Sequence, residues 1–107
     1  MSLKKIKTIK IGYSDVPINH VRQEKLEGQL GLYRRDGDGI QIDIASETTP
    51  PQETVNSFIH ELFHSIWDQY DLPSEEEEHY VTVLANGFTG LMRDNPELFK
   101  ELLRNLK

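Results

Sequence analysis

Hydrophobic and polar positions alternate through the first part of the chain. "IKIGY" (residues 9–13) sets Ile9, Ile11 and Tyr13 against Lys10 and Gly12. "QLGLYRR" puts Leu30 and Leu32 on one face, and "GIQIDIA" puts Ile40, Ile42 and Ile44 on one face with Gln41 and Asp43 on the other. A period of two is the signature of half-buried strands. The glycine-rich "RDGDG" between the last two segments predicts a hairpin. Residues 16–28 fit either a short helix or a loop.

Near residue 48 the period becomes helical. In "TTPPQETV", Thr49 reads as an N-cap, Pro50 as the first helical residue, and Gln52 as the partner in a Thr-x-x-Gln capping box. Val55, Ile59, Leu62, Phe63, Ile66 and Tyr70 then form an apolar stripe, and Pro73 closes the helix. Ser74 starts a second helix, with Glu77 three residues on to close a second capping box. Its expected buried face is Val81, Leu84, Ala85, Phe88 and Leu91. A third short helix opens at "DNPEL", with Asn95 as cap and Pro96 following. The pattern predicts an α+β fold: a small antiparallel sheet of about three strands, then three helices. At 107 residues the chain predicts a single domain, 1–107.

Composition narrows the chemistry. Hydrophobic residues at 36% and charged residues at 28% are ordinary for a globular chain. A net charge of −6 argues against a nucleic-acid surface, which is usually basic. No apolar run approaches the length that spans a bilayer, and "MSLKKIKTIK" lacks the apolar stretch of a signal peptide. The expectation is a cytoplasmic protein with no membrane partner. Without cysteine there is no thiolate, so any metal must be held by His, Asp or Glu.

One segment meets that requirement. "FIHELFH" (residues 58–64) places His60 and His64 four apart with Glu61 directly after the first. On a helix, positions i and i+4 project from one side about a turn apart, so both imidazoles can reach one ion. Two nitrogen ligands at roughly 2.0–2.1 Å suit tetrahedral zinc. Glu61 points around the helix and can address a water instead of the metal. Zinc lowers the pKa of such a water towards about 7, and a nearby carboxylate can take its proton. A plainer reading is a surface helix with partly buried histidines. H-E-x-x-H arises about once or twice in a hundred shuffles of this composition. It would more rarely fall on a capped amphipathic helix followed by "EEEEH".

The order "GIQIDI", a polar loop, "TVNSFIHELFHSIW" and then "EEEEHYVTVLANGF" resembles the HExxH zinc peptidases of the gluzincin group. It is most similar to their minimal single-domain members, including the ImmA/IrrE-like and phage-encoded metallopeptidases. The resemblance covers roughly residues 39–92, and the HExxH motif carries most of its specificity. It implies a zincin-like fold, with His60, His64 and a glutamate of the following helix as zinc ligands and Glu61 as the catalytic base. It also implies a peptide or protein substrate lying extended along an edge strand, here "GIQIDI", by β-augmentation. A third histidine shortly after the motif, as in metzincins, is absent from "SIWDQYDLP".

The third ligand is expected at Glu78. In the related peptidases the ligand glutamate is followed by small or apolar residues three, six, seven and ten positions later, and counting from Glu78 gives Val81, Leu84, Ala85 and Phe88. Counting from Glu77 gives Tyr80, Val83, Leu84 and Gly87, a poorer stripe, and Glu77 already has a capping role. The family's acidic motif often continues into Ala-Asn, where Val81-Thr82 stands here, so Glu77 and His79 remain alternatives. A buried carboxylate needs a positive partner, which zinc between the helices would supply. His79, Tyr70, Tyr80 and Tyr13 are candidates for stabilising an oxyanion, each with packing or exposure as its plainer role. His20 reads as a surface residue, and Trp67 as packing against the sheet or walling the metal pocket. The run Glu75 to Glu78 also fits a solvated helix start favoured by the macrodipole. Three functions follow: a zinc-dependent peptidase, a non-catalytic zinc-binding interaction module, or a helical interaction module without metal. An intact Glu61 favours the first, because a structural site has no use for a base. Such a site would also fill its fourth position with protein.

Overall fold

The computed structural model describes residues 3–37 and 39–107. It is α+β, with four strands followed by three helices. The strands are β1 (Thr8–Ile11), β2 (Ser14–His20), β3 (Gly31–Asp36) and β4 (Gly39–Ile44), ordered β1-β2-β4-β3 in the sheet. The helices are α1 (Pro51–Gln69), α2 (Glu77–Asp94) and α3 (Pro96–Arg104). The expected hairpin is formed by β3 and β4, paired antiparallel from Gly31↔Ile44 to Asp36↔Gly39. Asp38 of the expected "RDGDG" turn lies outside the described residues.

The sheet differs from expectation in having a fourth strand and in being mixed. β2 occupies part of the segment expected as helix or loop. Val16 and Ile18 are buried in it, but Pro17 between them interrupts the alternation that marks a strand. Proline is tolerated because it sits at a handover: residues up to Pro17 pair with β1, and those from Ile18 onward pair with β4. Tyr13, expected on the same face as Ile9 and Ile11, instead occupies the tight turn after β1 and is fully exposed. Gly12 beside it, at φ 61°, takes the left-handed conformation that turn requires.

This topology overturns one expectation about function. β4, the "GIQIDI" strand, is enclosed on both sides. It pairs parallel with β2 through Ile18↔Ile42, Asn19↔Asp43 and His20↔Ile44, and antiparallel with β3. Over residues 42–44 no ladder side is left on it for an incoming peptide. The free edge next to the helices belongs to β3.

The core lies between the sheet and α1: Ile11, Val16, Ile18, Ile42 and Ile44 meet Phe58, with Ile9, Tyr33, Ile40 and Leu62 packed around them. Of the expected apolar stripe Ile59 is buried and Leu62 packs on the core, whereas Ile66 is 39% and Tyr70 62% exposed; the other buried residues of α1 are Thr54, Phe58, Glu61 and Ser65. These last four follow i, i+4, i+7, i+11 spacing, one helix face. The sheet thus covers a face with two hydroxyls and a carboxylate. On α2 only Val81 and Ala85 of the expected face are buried. Leu84, Phe88 and Leu91 are 53%, 37% and 46% exposed, because α2 packs on α1 and lies outside the sheet layer.

Neither capping box forms. α1 starts at Pro51, with Pro50 outside the helix at ψ 150°. A residue preceding proline is driven out of the α region, so Pro51 prevents Pro50 from being helical. Thr49 is therefore one position too early, and its Oγ1 is buried without a hydrogen-bond partner. α2 starts at Glu77, after Glu76 in the left-handed conformation at φ 58°. That break places Ser74 outside capping reach and turns Glu77 to another use. α1 ends before Pro73, with Asp71 left-handed and Leu72 N–H donating to Trp67 O. Asn95 stands just before α3 with Pro96 at its first position, but the Asn95 amide donates back to Leu91 O and does not cap α3.

Candidate metal centre

His60 and His64 lie one turn apart on α1, and the first turn of α2 brings Glu78 against both. Glu78 Oε1 is 2.9 Å from His60 Nε2, and Glu78 Oε2 is 2.8 Å from His64 Nε2. The two Nε2 atoms are 3.1 Å apart. Among the described residues, His60, His64 and Glu78 form a group that could hold a metal ion. Ligands about 2.05 Å from a tetrahedral ion lie roughly 3.3 Å from one another. The observed separations need only a slight expansion to reach that. Glu78 is 70% exposed, whereas the two imidazoles are 19% and 15% exposed, so the centre opens to solvent on its α2 side.

Glu77 supplies what the capping box does not use. Its Oε2 accepts from His64 Nδ1–H at 2.6 Å. That contact fixes the His64 tautomer, leaves the Nε2 lone pair towards the centre, and orients the ring. Burial pushes the His64 pKa down, but the hydrogen bond it donates to Glu77 and the charges of Glu61 and Glu78 outweigh it and the net shift is upward. His60 is lowered, mainly by burial and further by His64, against the pull of Glu78. Neutral His60 is the form that coordinates a metal.

Glu61 stands apart from the ligand group. It is 7% exposed and faces the β3 edge, where Tyr33 N–H donates to its Oε1 at 2.9 Å. N–H groups of an antiparallel strand alternate in direction. Ala45 N–H bonds Leu30 O across the β3–β4 pair, so even-numbered residues of β3 address β4 and Gly31, Tyr33 and Arg35 address the outer edge. Burial raises the Glu61 pKa to about 7, opposed by His64 and the Tyr33 N–H. The same edge is tied to α1 by Asp68, whose Oδ2 accepts from Tyr33 Oη at 2.6 Å and from Arg35 Nε at 2.8 Å. Burial and Asp68 push the Tyr33 phenol up to about 12, so it is a fixed strut. Between β3 and the two helices lies a cleft of about 630 Å³, lined by Gly31, Leu32, Tyr33, Asn56 and Ser57 together with His60, Glu61, His64, Glu77 and Glu78.

Other residues singled out in the sequence fall elsewhere. His79, Tyr70, Tyr80 and Tyr13 are not among the residues that line this cleft. Tyr80 stacks on Trp67, with ring centroids 6.0 Å apart, and His79 lies against Tyr80. Trp67 is not among the residues that line the cleft: its Nε1–H donates to Pro73 O and secures the α1–α2 connection. Tyr70 faces Gly12 at the β1–β2 turn. His20 ends β2 and is half-buried where a surface residue was expected, with Nε2–H donating to Ile6 O and Nδ1 accepting from Ser46 Oγ–H. Sequence reasoning missed Glu77 as the partner of His64, and it missed β3 as the strand beside Glu61. The first was within reach, since adjacent carboxylates on one turn can address one imidazole from two sides. The second depended on finding β2.

Compared with models of protein families, with curated proteins and with solved structures, the chain matches none. No helix among the described residues is long and apolar enough to cross a membrane.

Proposed function

We propose that the protein is a zinc-dependent peptidase whose substrate lies along the free edge of β3. The observation that carries this reading is the separation of roles in the cleft. His60, His64 and Glu78 converge as a ligand group, while Glu61, one residue from His60, is buried, directed to the strand edge and kept out of that group. The donor set of two imidazoles and one carboxylate fits zinc and leaves a fourth position, the arrangement of catalytic rather than structural sites. Zinc held there would polarise a carbonyl and acidify a water.

The chain's own residues supply the rest. β3 offers the outward N–H and C=O groups of Gly31 and Arg35 to an extended peptide, as sheet edges do in β-augmentation. Glu61 takes a proton as water adds to the scissile carbonyl carbon, and gives it to the amide nitrogen as the C–N bond breaks. A carboxyl whose pKa burial raises is a stronger base for the first transfer. Glu77 holds His64 in its coordinating tautomer, and Asp68 holds β3 against α1.

A second reading is a zinc-stabilised interaction module. What favours it is the apolar surface left open on α2 and α3, where Leu84, Leu91, Leu102 and Leu103 are all about half exposed or more. Elemental analysis of protein purified without chelator, followed by incubation of the zinc-loaded chain with a mixed peptide library, separates the readings. The peptidase carries one equivalent of zinc and cuts peptides. One equivalent without cleavage leaves the interaction module, and no zinc contradicts both. Cytoplasmic residence is part of the first proposal and is tested by fractionation of the producing cells.

A further inference from the structure

We propose that Gly31 is a positioning residue, whose missing side chain leaves the seat on the β3 edge that the Glu61 carboxyl occupies. The consequence for catalysis rests on the peptidase reading; the seat itself does not.

Gly31 is not glycine for backbone reasons. The positive-φ glycines of the described chain are Gly12, Gly28 and Gly39, so any residue could adopt the backbone of Gly31. The reason is space. A Cβ at Gly31 would lie 3.0 Å from Glu61 Cγ, 3.1 Å from Glu61 Oε2 and 3.3 Å from Ile44 Cδ1. The other glycines would place a Cβ no nearer than 3.5 Å to anything, or in open space. Glu61 thus spans two outward positions of β3. Oε1 accepts from Tyr33 N–H, while Oε2 and Cγ lie over the bare Cα of Gly31.

Little nearby can yield to a methyl group. Ile44 is fully buried, and Glu61 is held at one end by α1 and at the other by Tyr33 N–H. Gly31 stands opposite Ile44 in the β3–β4 ladder, so the strand cannot retreat without breaking pairs. A methyl group at residue 31 therefore displaces the carboxyl. The displacement is a few tenths of an ångström, and because misplacement of a reacting group by about 1 Å costs on the order of 100-fold in rate, a several-fold loss is expected. The three atoms nearest that Cβ belong to Glu61 and Ile44 and none to His60, His64 or Glu78, so metal binding is expected to be spared.

The test is a thermal double-mutant cycle of Gly31→Ala and Glu61→Ala, with zinc content and peptide kinetics measured alongside. In the parent, Gly31→Ala lowers the Tm by roughly 5 °C. In the Glu61→Ala background the seat is empty, and the same change leaves the Tm unchanged or raises it slightly, because alanine restricts the unfolded chain. With Glu61 present, Gly31→Ala keeps one zinc while kcat falls several-fold. An equal Tm loss in both backgrounds overturns the proposal, as does an unchanged kcat. If Gly31→Ala fails to fold, recovery of folding in the double variant supports the seat, and failure of both variants overturns it. A parent that cuts no peptide defeats the peptidase reading, while the Tm cycle still decides the seat.

Discussion

Glu77 Oε2 lies 2.6 Å from His64 Nδ1, and the next residue, Glu78, meets Nε2 of the same ring at 2.8 Å. Two consecutive carboxylates grip one imidazole from opposite nitrogens. Removing Glu78 should remove a ligand, whereas removing Glu77 should remove only the group that orients one. Glu77→Ala is therefore expected to weaken zinc binding by about 10–100-fold while retaining one site, and Glu78→Ala to weaken it further. Competition against a chromophoric chelator measures both. Parental affinity in Glu78→Ala, with loss in Glu77→Ala, would reverse the assignment.

The free edge of β3 predicts a contrast between neighbouring positions. Arg35 directs its N–H outward, while Arg34 belongs to the hydrogen-bonded pairs with β4. Arg35→Pro should fold, lose an outward donor and raise KM for peptides several-fold, since proline is accepted where a strand faces solvent. Arg34→Pro removes a ladder donor and should lower the Tm sharply. Circular dichroism melts and initial rates check the pair; equal melting losses would contradict the register.

Phe58 anchors α1 on the sheet at 6% exposure, although no apolar stripe in the sequence pointed to it. Phe58→Ala should cost about 3–5 kcal/mol in urea unfolding, as large core truncations do. Leu84→Ala, on the exposed side of α2, should cost less than about 1 kcal/mol.

Much of the fold was legible because local chemistry agreed with the global arrangement. Ile40, Ile42 and Ile44 alternate, "RDGDG" turns, and His60 with His64 mark one helix face. What was not legible depended on partners distant in sequence. Pro17 hid β2, and without β2 the strand "GIQIDI" looked like an edge instead of a centre. Pro51 moved the start of α1 by constraining Pro50. The line Thr54, Phe58, Glu61 and Ser65 carries too many polar groups to read as a buried face, yet the sheet covers it. The spacing of α2 pointed to Glu78, whereas the second job of Glu77 needed the three-dimensional position of His64.

Burial of Glu61 sets a pH dependence in the metal-free chain. Its carboxyl titrates at about 7 when folded, against an ordinary value of 4.5. The folded state therefore holds the proton more tightly than the unfolded state, so the stability this residue contributes is present below about pH 4.5 and lost as pH rises towards about 7. Compared with Glu61→Gln, chelator-treated parent should lose up to about 3 kcal/mol between pH 4 and pH 8. The shift of His64 runs in the same direction and is partly coupled to Glu61, so the difference between the two proteins is the quantity to measure. Urea unfolding across that range provides it, and parallel profiles would contradict the burial argument.

Hydrolysis by zinc-loaded parent and zinc-loaded Glu61→Gln, on one peptide and at matched metal content, tests the central claim most directly. Both proteins should hold one zinc, the parent should cut the peptide, and Glu61→Gln should be slower by about 10²–10⁴-fold. A Glu61→Gln variant as active as the parent contradicts that claim.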